Sequence, residues 1–157
     1  SQGPTLDGRV KPDLVAPGSL LSSRAGSGCE LAGMLGTSMA TPLVAGAAAL
    51  VRQYYMEGYY PSGERNASAG WVPSSALIKA TLIGGAASLS GLEAANGLPI
   101  DPPPSFRQGW GRVDLASSLA LSQDGQRIAV LDSVSIQEGE QHSYCLRSTG
   151  GPLSVTL

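Results

Sequence analysis

The sequence predicts an α/β chain in two parts: an α/β unit over residues 1–122 and the opening strands of a β-rich unit over residues 123–157. Three observations predict it. The stretch from Ala40 to Tyr55 is apolar on nearly every face, the pattern of a helix covered on all sides. Phe, Trp and Tyr together make up only 5% of the residues while small residues dominate, so helices can pack closely on a sheet. Near residues 122–126 the hydrophobic period changes from helical spacing to two, the period of strands. A length of 157 residues accommodates one domain, or one domain and part of another. With 42% hydrophobic and 14% charged residues the chain can bury a core and does not read as disordered.

Taken in order, Val10 to Pro17 predicts a short, buried turn-and-strand segment bounded by Pro12 and by Pro17-Gly18. Residues 19–33, rich in Ser and Gly, predict a surface loop. The helix that follows has Thr37 as its expected N-cap, because a threonine hydroxyl can accept a first-turn N–H. Pro42 falls early enough in it to cost little, although the carbonyl four residues back loses its donor. Residues 56–72 read as a polar loop. Pro73-Ser74 then opens a second helix with Leu77, Ile78, Thr81 and Leu82 on one face, closed by Gly84-Gly85. A long loop over 86–107 contains Pro102-Pro103-Pro104, and Asp114 caps a short third helix with Leu115, Leu119 and Leu121 facing inward. Beyond Gln123 the pairs Ile128/Val130, Val134/Ile136, Tyr144/Leu146 and the run Leu153/Val155/Leu157 alternate with polar residues. Turns are expected at Glu138-Gly139 and Gly150-Gly151-Pro152.

Composition removes several function classes. The net charge is −2 and no Lys/Arg-rich run occurs, so a nucleic-acid surface is not expected. The longest apolar run, Met39 to Val51, falls short of the roughly 20 residues of a membrane span. Ser1-Gln2-Gly3-Pro4 has no basic or apolar leader pattern and reads like the middle of a loop. The end at Leu157 interrupts an alternating pattern, so a fragment is expected. Cys29 and Cys145 lack metal-ligand spacing, and a disulfide between them would have to join the two parts, so free thiols or partners elsewhere are expected. No metal site is predicted. Asn66-Ala67-Ser68 is an N-glycosylation triplet in a polar loop and favours a secreted protein.

The chemistry concentrates at Gly36-Thr37-Ser38-Met39-Ala40, where a serine lies between a glycine turn and the start of an apolar helix. A helix N-terminus directs unpaired N–H groups and partial positive charge at what sits there. Those are the needs of an acyl-transfer nucleophile, whose own N–H can stabilise the oxyanion it creates. A serine in the same place can equally be a helix cap.

Gly36-Thr37-Ser38-Met39-Ala40-Thr41-Pro42, continued by Val44-Ala45-Gly46-Ala47-Ala48-Ala49-Leu50, resembles the nucleophile signature of the subtilisin-like serine peptidases, the subtilases. Lys11-Pro12-Asp13-Leu14-Val15-Ala16-Pro17-Gly18 is similar to the segment that precedes it in that family, and Gln108-Gly109-Trp110-Gly111-Arg112-Val113 to the closing stretch of the peptidase domain. The resemblance covers roughly residues 8–121. With the β-rich tail, it is greatest to members that carry a C-terminal β-sandwich. It implies that residues 1–122 are the C-terminal portion of a parallel α/β sandwich and that 123–157 begin a truncated β-sandwich. It implies a serine endopeptidase acting on proteins or peptides through an acyl-enzyme, with Ser38 as nucleophile, Thr37 and Ser38 supporting the oxyanion and Met39 lining the site. The family's histidine, aspartate and oxyanion asparagine precede the serine by long distances. Only 37 residues precede Ser38 here, none of them histidine. The chain alone is therefore expected to be inactive. Leu43 stands where the family often has histidine, outside the triad. Calcium is implied only by the resemblance, as is an extracellular parent protein.

Two further readings differ in class. His142, the only histidine, could complete a serine esterase in the chain order Ser38, then Asp101, Asp114 or Asp132, then His142. The alanine at position 40, where that motif usually has glycine, and the short chain speak against it. The other is a module that keeps the fold and only binds.

Overall fold

The computed structural model describes residues 2–24, 26, 28–94, 96–121, 128–146, 150 and 153–157. The predicted boundary at 122–126 lies outside the described residues, as do Gly151 and Pro152 of the second expected turn.

Residues 19–33, expected as a surface loop, instead contribute most of a hairpin. Strand β1 (Ser19–Ser23) pairs antiparallel with β2 (Leu31–Leu35), with Ser19 opposite Leu35 and Ser23 opposite Leu31. The Ser/Gly-rich connection disguised it, but Leu20, Leu21, Leu31, Met34 and Leu35 supply strand-forming bulk on either side. Beyond the paired strands the Arg24 N–H donates to the Glu30 carbonyl at 3.0 Å, and their side chains form a 3.6 Å ion pair.

Helix α1 spans Thr37–Met56. Gly36 is its N-cap, and no side chain makes the capping bond. The expected Thr37 cap is therefore corrected: Thr37 is already the first helical residue, displaced from the cap position by the glycine turn. The helix was also expected to be covered on every side, and here it is not. Ala47, Val51, Tyr54 and Tyr55 are buried, a single stripe at helical spacing in its C-terminal half, while Leu43 and Leu50 are 44% and 51% exposed. The buried stripe meets helix α2 (Ser75–Gly84) through Leu77 and Leu82, together with Leu119. Tyr59, Tyr60, Trp71, Leu115 and Val130 are packed around this core.

Two tyrosine hydroxyls pin it. The Tyr54 hydroxyl donates to the Ala120 carbonyl at 2.8 Å, and burial pushes its pKa up to about 12. Tyr55 lies 3.0 Å from the Thr81 hydroxyl, whose proton is committed to the Leu77 carbonyl, so Tyr55 is the donor. Trp71 packs on the Tyr55 and Tyr60 rings at centroid distances of 5.0 and 5.7 Å.

Helix α2 starts where Pro73-Ser74 was expected to open it, with Ser74 as its N-cap, accepting from the Leu77 N–H at 3.0 Å. Asp114 caps α3 (Leu115–Ser118) by accepting from the N–H groups of Ala116 and Ser117. Leu121, expected inward, is exposed, because α3 is a single turn and does not carry the helical face that far. Val10 is likewise exposed and the rest of its segment no more than half-buried. After the boundary, residues 128–146 and 153–157 form no paired strand among the described residues, and Leu131, Val134, Ile136, Tyr144 and Leu146 stay exposed. One point of that segment is fixed. Asp132 accepts from the Ser74 N–H at 2.9 Å and the Ser74 hydroxyl at 2.5 Å, while the Val130 N–H donates to the Tyr60 hydroxyl at 3.2 Å.

The chain exposes 10972 Å², against roughly 7,400 Å² for a compact monomer of its mass of 16.0 kDa. Part of the excess is apolar. A groove of about 550 Å³ runs along α1, lined by Pro17, Pro42, Leu43, Gly46, Leu50 and Val113. Each large side chain left open forgoes about 1.5–3 kcal/mol of burial, and several such losses rival the 5–15 kcal/mol that stabilises a typical domain. Residues 1–157 expressed alone should therefore self-associate in size-exclusion chromatography and unfold in a broad transition. A monodisperse monomer with one cooperative melt would contradict this.

Asp132 gives a second prediction. The bonds from Ser74 outweigh its partial burial and hold its carboxyl below the ordinary 3.8. A carboxyl depressed in the folded state contributes stability above its unfolded pKa and loses it as the pH falls through the folded value. In a monomeric host chain carrying residues 1–157, Asp132→Asn should cost about 1 kcal/mol in urea unfolding near neutral pH. The difference should shrink below the ordinary carboxylate range. Equal stabilities of variant and parent at neutral pH would show that the contact does not bind the two segments.

Candidate active site

Residues 13–18 link the stretch at 109–113 to the turn that precedes Ser38. The Trp110 N–H donates to the Asp13 carbonyl at 2.9 Å, the Val15 N–H to Gly111 at 3.0 Å, and the Val113 N–H to the Val15 carbonyl at 3.0 Å. Together they form a short parallel bridge between Val15 and Arg112. The other side of Arg112 exchanges two 2.8 Å bonds with Ala87. This approach requires a glycine at 109: a Cβ there would lie 2.1 Å from the Pro12 carbonyl oxygen, and its φ is +59°. Gln108, fully buried, locks the adjoining loops. Its amide oxygen accepts from the Leu89 N–H at 2.7 Å and its amide nitrogen donates to the Asp101 carbonyl at 2.6 Å.

Asp13 fastens the same segment to α2. Burial opposes its charged form, but the ammonium groups of Lys11 and of Lys79, the latter 3.1 Å away, outweigh that cost and hold its carboxyl below the usual range.

Five residues on from Asp13, the Gly18 carbonyl accepts from the Gly36 N–H at 2.7 Å. A Cβ on Gly18 would press on the Gly36 carbonyl oxygen at 3.0 Å. Gly36 itself has φ +146° and ψ 170°, a conformation essentially confined to glycine. The chain turns there from β2 into α1, and Thr37, Ser38 and Met39 follow at once. Thr37 and Ser38 are exposed and Met39 is half-buried, its methyl group against Gly36. The Met39 N–H is taken by the Gly36 carbonyl at 3.1 Å. The Ser38 N–H lies in the first turn, where no helical carbonyl stands four residues back to receive it. No acidic residue occupies that turn, so no carboxylate offsets its partial positive charge, about half an elementary charge for an aligned helix. Thr37 contributes through its backbone, its carbonyl accepting the Thr41 hydroxyl at 2.9 Å. The arrangement presents a serine hydroxyl and an N–H side by side at a solvent-facing, electropositive point.

The structure does not gather the alternative constellation. The His142 ring bonds Glu140 at 3.0 Å and Tyr144 at 3.4 Å, all three within one exposed stretch. Each candidate acid is engaged elsewhere: Asp101 with Arg107 at 2.9 Å, Asp114 with the start of α3, and Asp132 with Ser74. Cys29 and Cys145 are both unbridged and exposed. Among the described residues no three His, Cys, Asp or Glu side chains gather as a metal-binding group, and no residue is assigned to calcium. No helix among them is long and apolar enough to cross a membrane. Sequence reasoning missed the Gly18–Gly36 contact and the Ser74–Asp132 clamp. The glycine pair had a faint signal in Pro17-Gly18, a turn that predicts close backbone approach. The clamp had none, because its partners are 58 residues apart.

Comparison with known proteins agrees with these motifs. A model of the subtilase family matches residues 1–111. The serine protease/ABC transporter B family protein tagA of Dictyostelium discoideum is 37% identical across 99% of this chain and 10% of its own length. The corresponding tagD protein is 36% identical across 80% of this chain and 8% of its own. C5a peptidase of Streptococcus pyogenes is 48% identical over 62 residues, which cover 39% of this chain and 5% of that enzyme. The chain thus spans a tenth or less of the length of these relatives. With a family match across most of its residues and a relative 37% identical over nearly all of them, the chain belongs to the subtilase family of serine peptidases.

Proposed function

We propose that these residues are the nucleophile-bearing part of a serine endopeptidase that cleaves proteins or peptides through an acyl-enzyme. The observation that carries this reading is the placement of Ser38, exposed beside a first-turn N–H and two residues after a glycine held by Gly18. In this reading the Ser38 Oγ adds to the peptide carbonyl carbon as its proton passes to a histidine. The tetrahedral oxyanion accepts from the Ser38 N–H and an asparagine amide, with Thr37 in support and the Met39 side chain lining the site. Collapse releases the amine, which takes the proton from histidine. Water then adds to the acyl carbon by the same route and frees the acid and Ser38. The histidine, its aspartate and the asparagine come from residues outside this chain.

The same reading accounts for the open surfaces. Residues 1–122 are the C-terminal portion of a parallel α/β sandwich whose remaining layers cover Leu43, Leu50 and the groove along α1. Residues 123–157 begin a β-sandwich whose partner strands lie beyond this chain. The parent protein works outside the cell or in a compartment continuous with it.

The experiment uses two chains. A polypeptide that adds the upstream aspartate, histidine and asparagine should hydrolyse peptide amides, and Ser38→Ala should lower its kcat by several orders of magnitude, the scale of triad deletions in serine peptidases. Residues 1–157 alone should show no Ser38-dependent turnover. Turnover by that short chain would mean that it holds its own base. Hydrolysis by the long chain indifferent to Ser38→Ala would show that Ser38 is not its nucleophile, and no hydrolysis at all would favour a module that binds without catalysis.

A further inference from the structure

We propose that Asn66 carries an N-linked oligosaccharide. Of the two asparagines in the chain, only Asn66 has a hydroxyl residue two positions on, Ser68, with a non-proline residue, Ala67, between them. Asn96 is followed by Gly97-Leu98 and lacks that hydroxyl. The local geometry separates the two ends of the Asn66 amide. Its Oδ1 accepts from the Ser68 N–H at 3.2 Å and the Ser68 hydroxyl at 2.7 Å, while no bond from its Nδ2 is found among the described residues. The fold thus uses the oxygen and leaves to solvent the nitrogen to which sugar attaches. Asn66, Ala67 and Ser68 are all exposed, and the loop around them is held from below rather than from above. The Asn66 N–H donates to the Gly58 carbonyl at 3.3 Å, the Trp71 N–H to Tyr55 at 3.2 Å, and Arg65 pairs with Glu57 at 2.9 Å. None of these contacts is lost when Nδ2 is substituted.

The position also keeps a glycan away from the proposed chemistry. The loop leaves the C-terminal end of α1, and Ser38 is at the other end, about 27 Å along the axis at 1.5 Å per residue. In the modification, Asn66 Nδ2 attacks the anomeric carbon of a lipid-pyrophosphate-linked oligosaccharide. The new bond is carbon to nitrogen, the bond to the phosphate oxygen breaks, and the lipid pyrophosphate leaves with the electron pair. Nδ2 gives up one proton to a base. The proposal is independent of the peptidase reading and needs only passage through the compartment where that donor is used.

Purify the protein from the cells that make it and map residue 66 by mass spectrometry, before and after peptide N-glycosidase treatment in heavy-oxygen water. The untreated peptide should carry a sugar mass at Asn66. The treated one should hold heavy-oxygen aspartate there, with Asn96 unchanged. Ser68→Thr should retain the modification and Ser68→Ala should lose it, with turnover the same in both. An unmodified Asn66 in the mature protein, or a sugar that persists in Ser68→Ala, would overturn the proposal.

Discussion

The segment from Asp13 to Gly18 is tied at both ends by backbone hydrogen bonds, and the placement of Ser38 depends on both ties. At one end it lies against residues 110–113, in a bridge that only a glycine at 109 permits. At the other, the Gly18 carbonyl takes the Gly36 N–H and so fixes the residue from which α1 starts. Backbone bonds of this kind set position more firmly than side-chain contacts, because no rotamer freedom remains in either partner. Gly36 must also hold a φ that other residues adopt only under strain of about 1–3 kcal/mol. The turn that exposes Ser38 is therefore built from two glycines and a neighbouring strand rather than from any residue of the helix.

The remaining structure supports that arrangement from behind. Val51, Tyr54 and Tyr55 anchor the far half of α1 against α2, and the tyrosine hydroxyls find partners on Ala120 and Thr81. Gln108 is buried without an unpaired polar atom, which lets a polar residue tie two points of the 86–107 loop together inside the fold. The near half of α1 has no such cover. The contrast between a well-packed rear and an open front runs along a single helix, and it is the front that carries the serine.

Much of this was legible in the sequence. Asp114 was readable as a cap and Pro73-Ser74 as a helix start, because a short polar side chain before an apolar run has one favourable use. The three motifs were readable as a set, and in the structure the first of them bonds to each of the other two, at Gly111 and Val113 and at Gly36. The α1 helix itself was plain, although its apolar pattern overstated its burial: periodicity reports what a surface requires, not whether the cover is present. The hairpin was hidden because serine and glycine dominate its connection. The alternation after Gln123 predicted strands, but a strand needs a neighbouring strand, and no paired strand forms among the described residues at 128–146 and 153–157. The Thr37 cap failed on a point that no single residue reveals, since Gly36 occupies the cap position for reasons of backbone geometry.

The central claim is that Ser38 is the nucleophile, and it can be read directly. A phosphonylating probe that mimics the tetrahedral intermediate should be incubated with the active parent polypeptide, and the modified residue located by peptide mapping. The account predicts one adduct, on the Ser38 Oγ, formed in step with loss of hydrolysis and absent when the protein is unfolded first. An enzyme inactivated by the probe with Ser38 unmodified would contradict it.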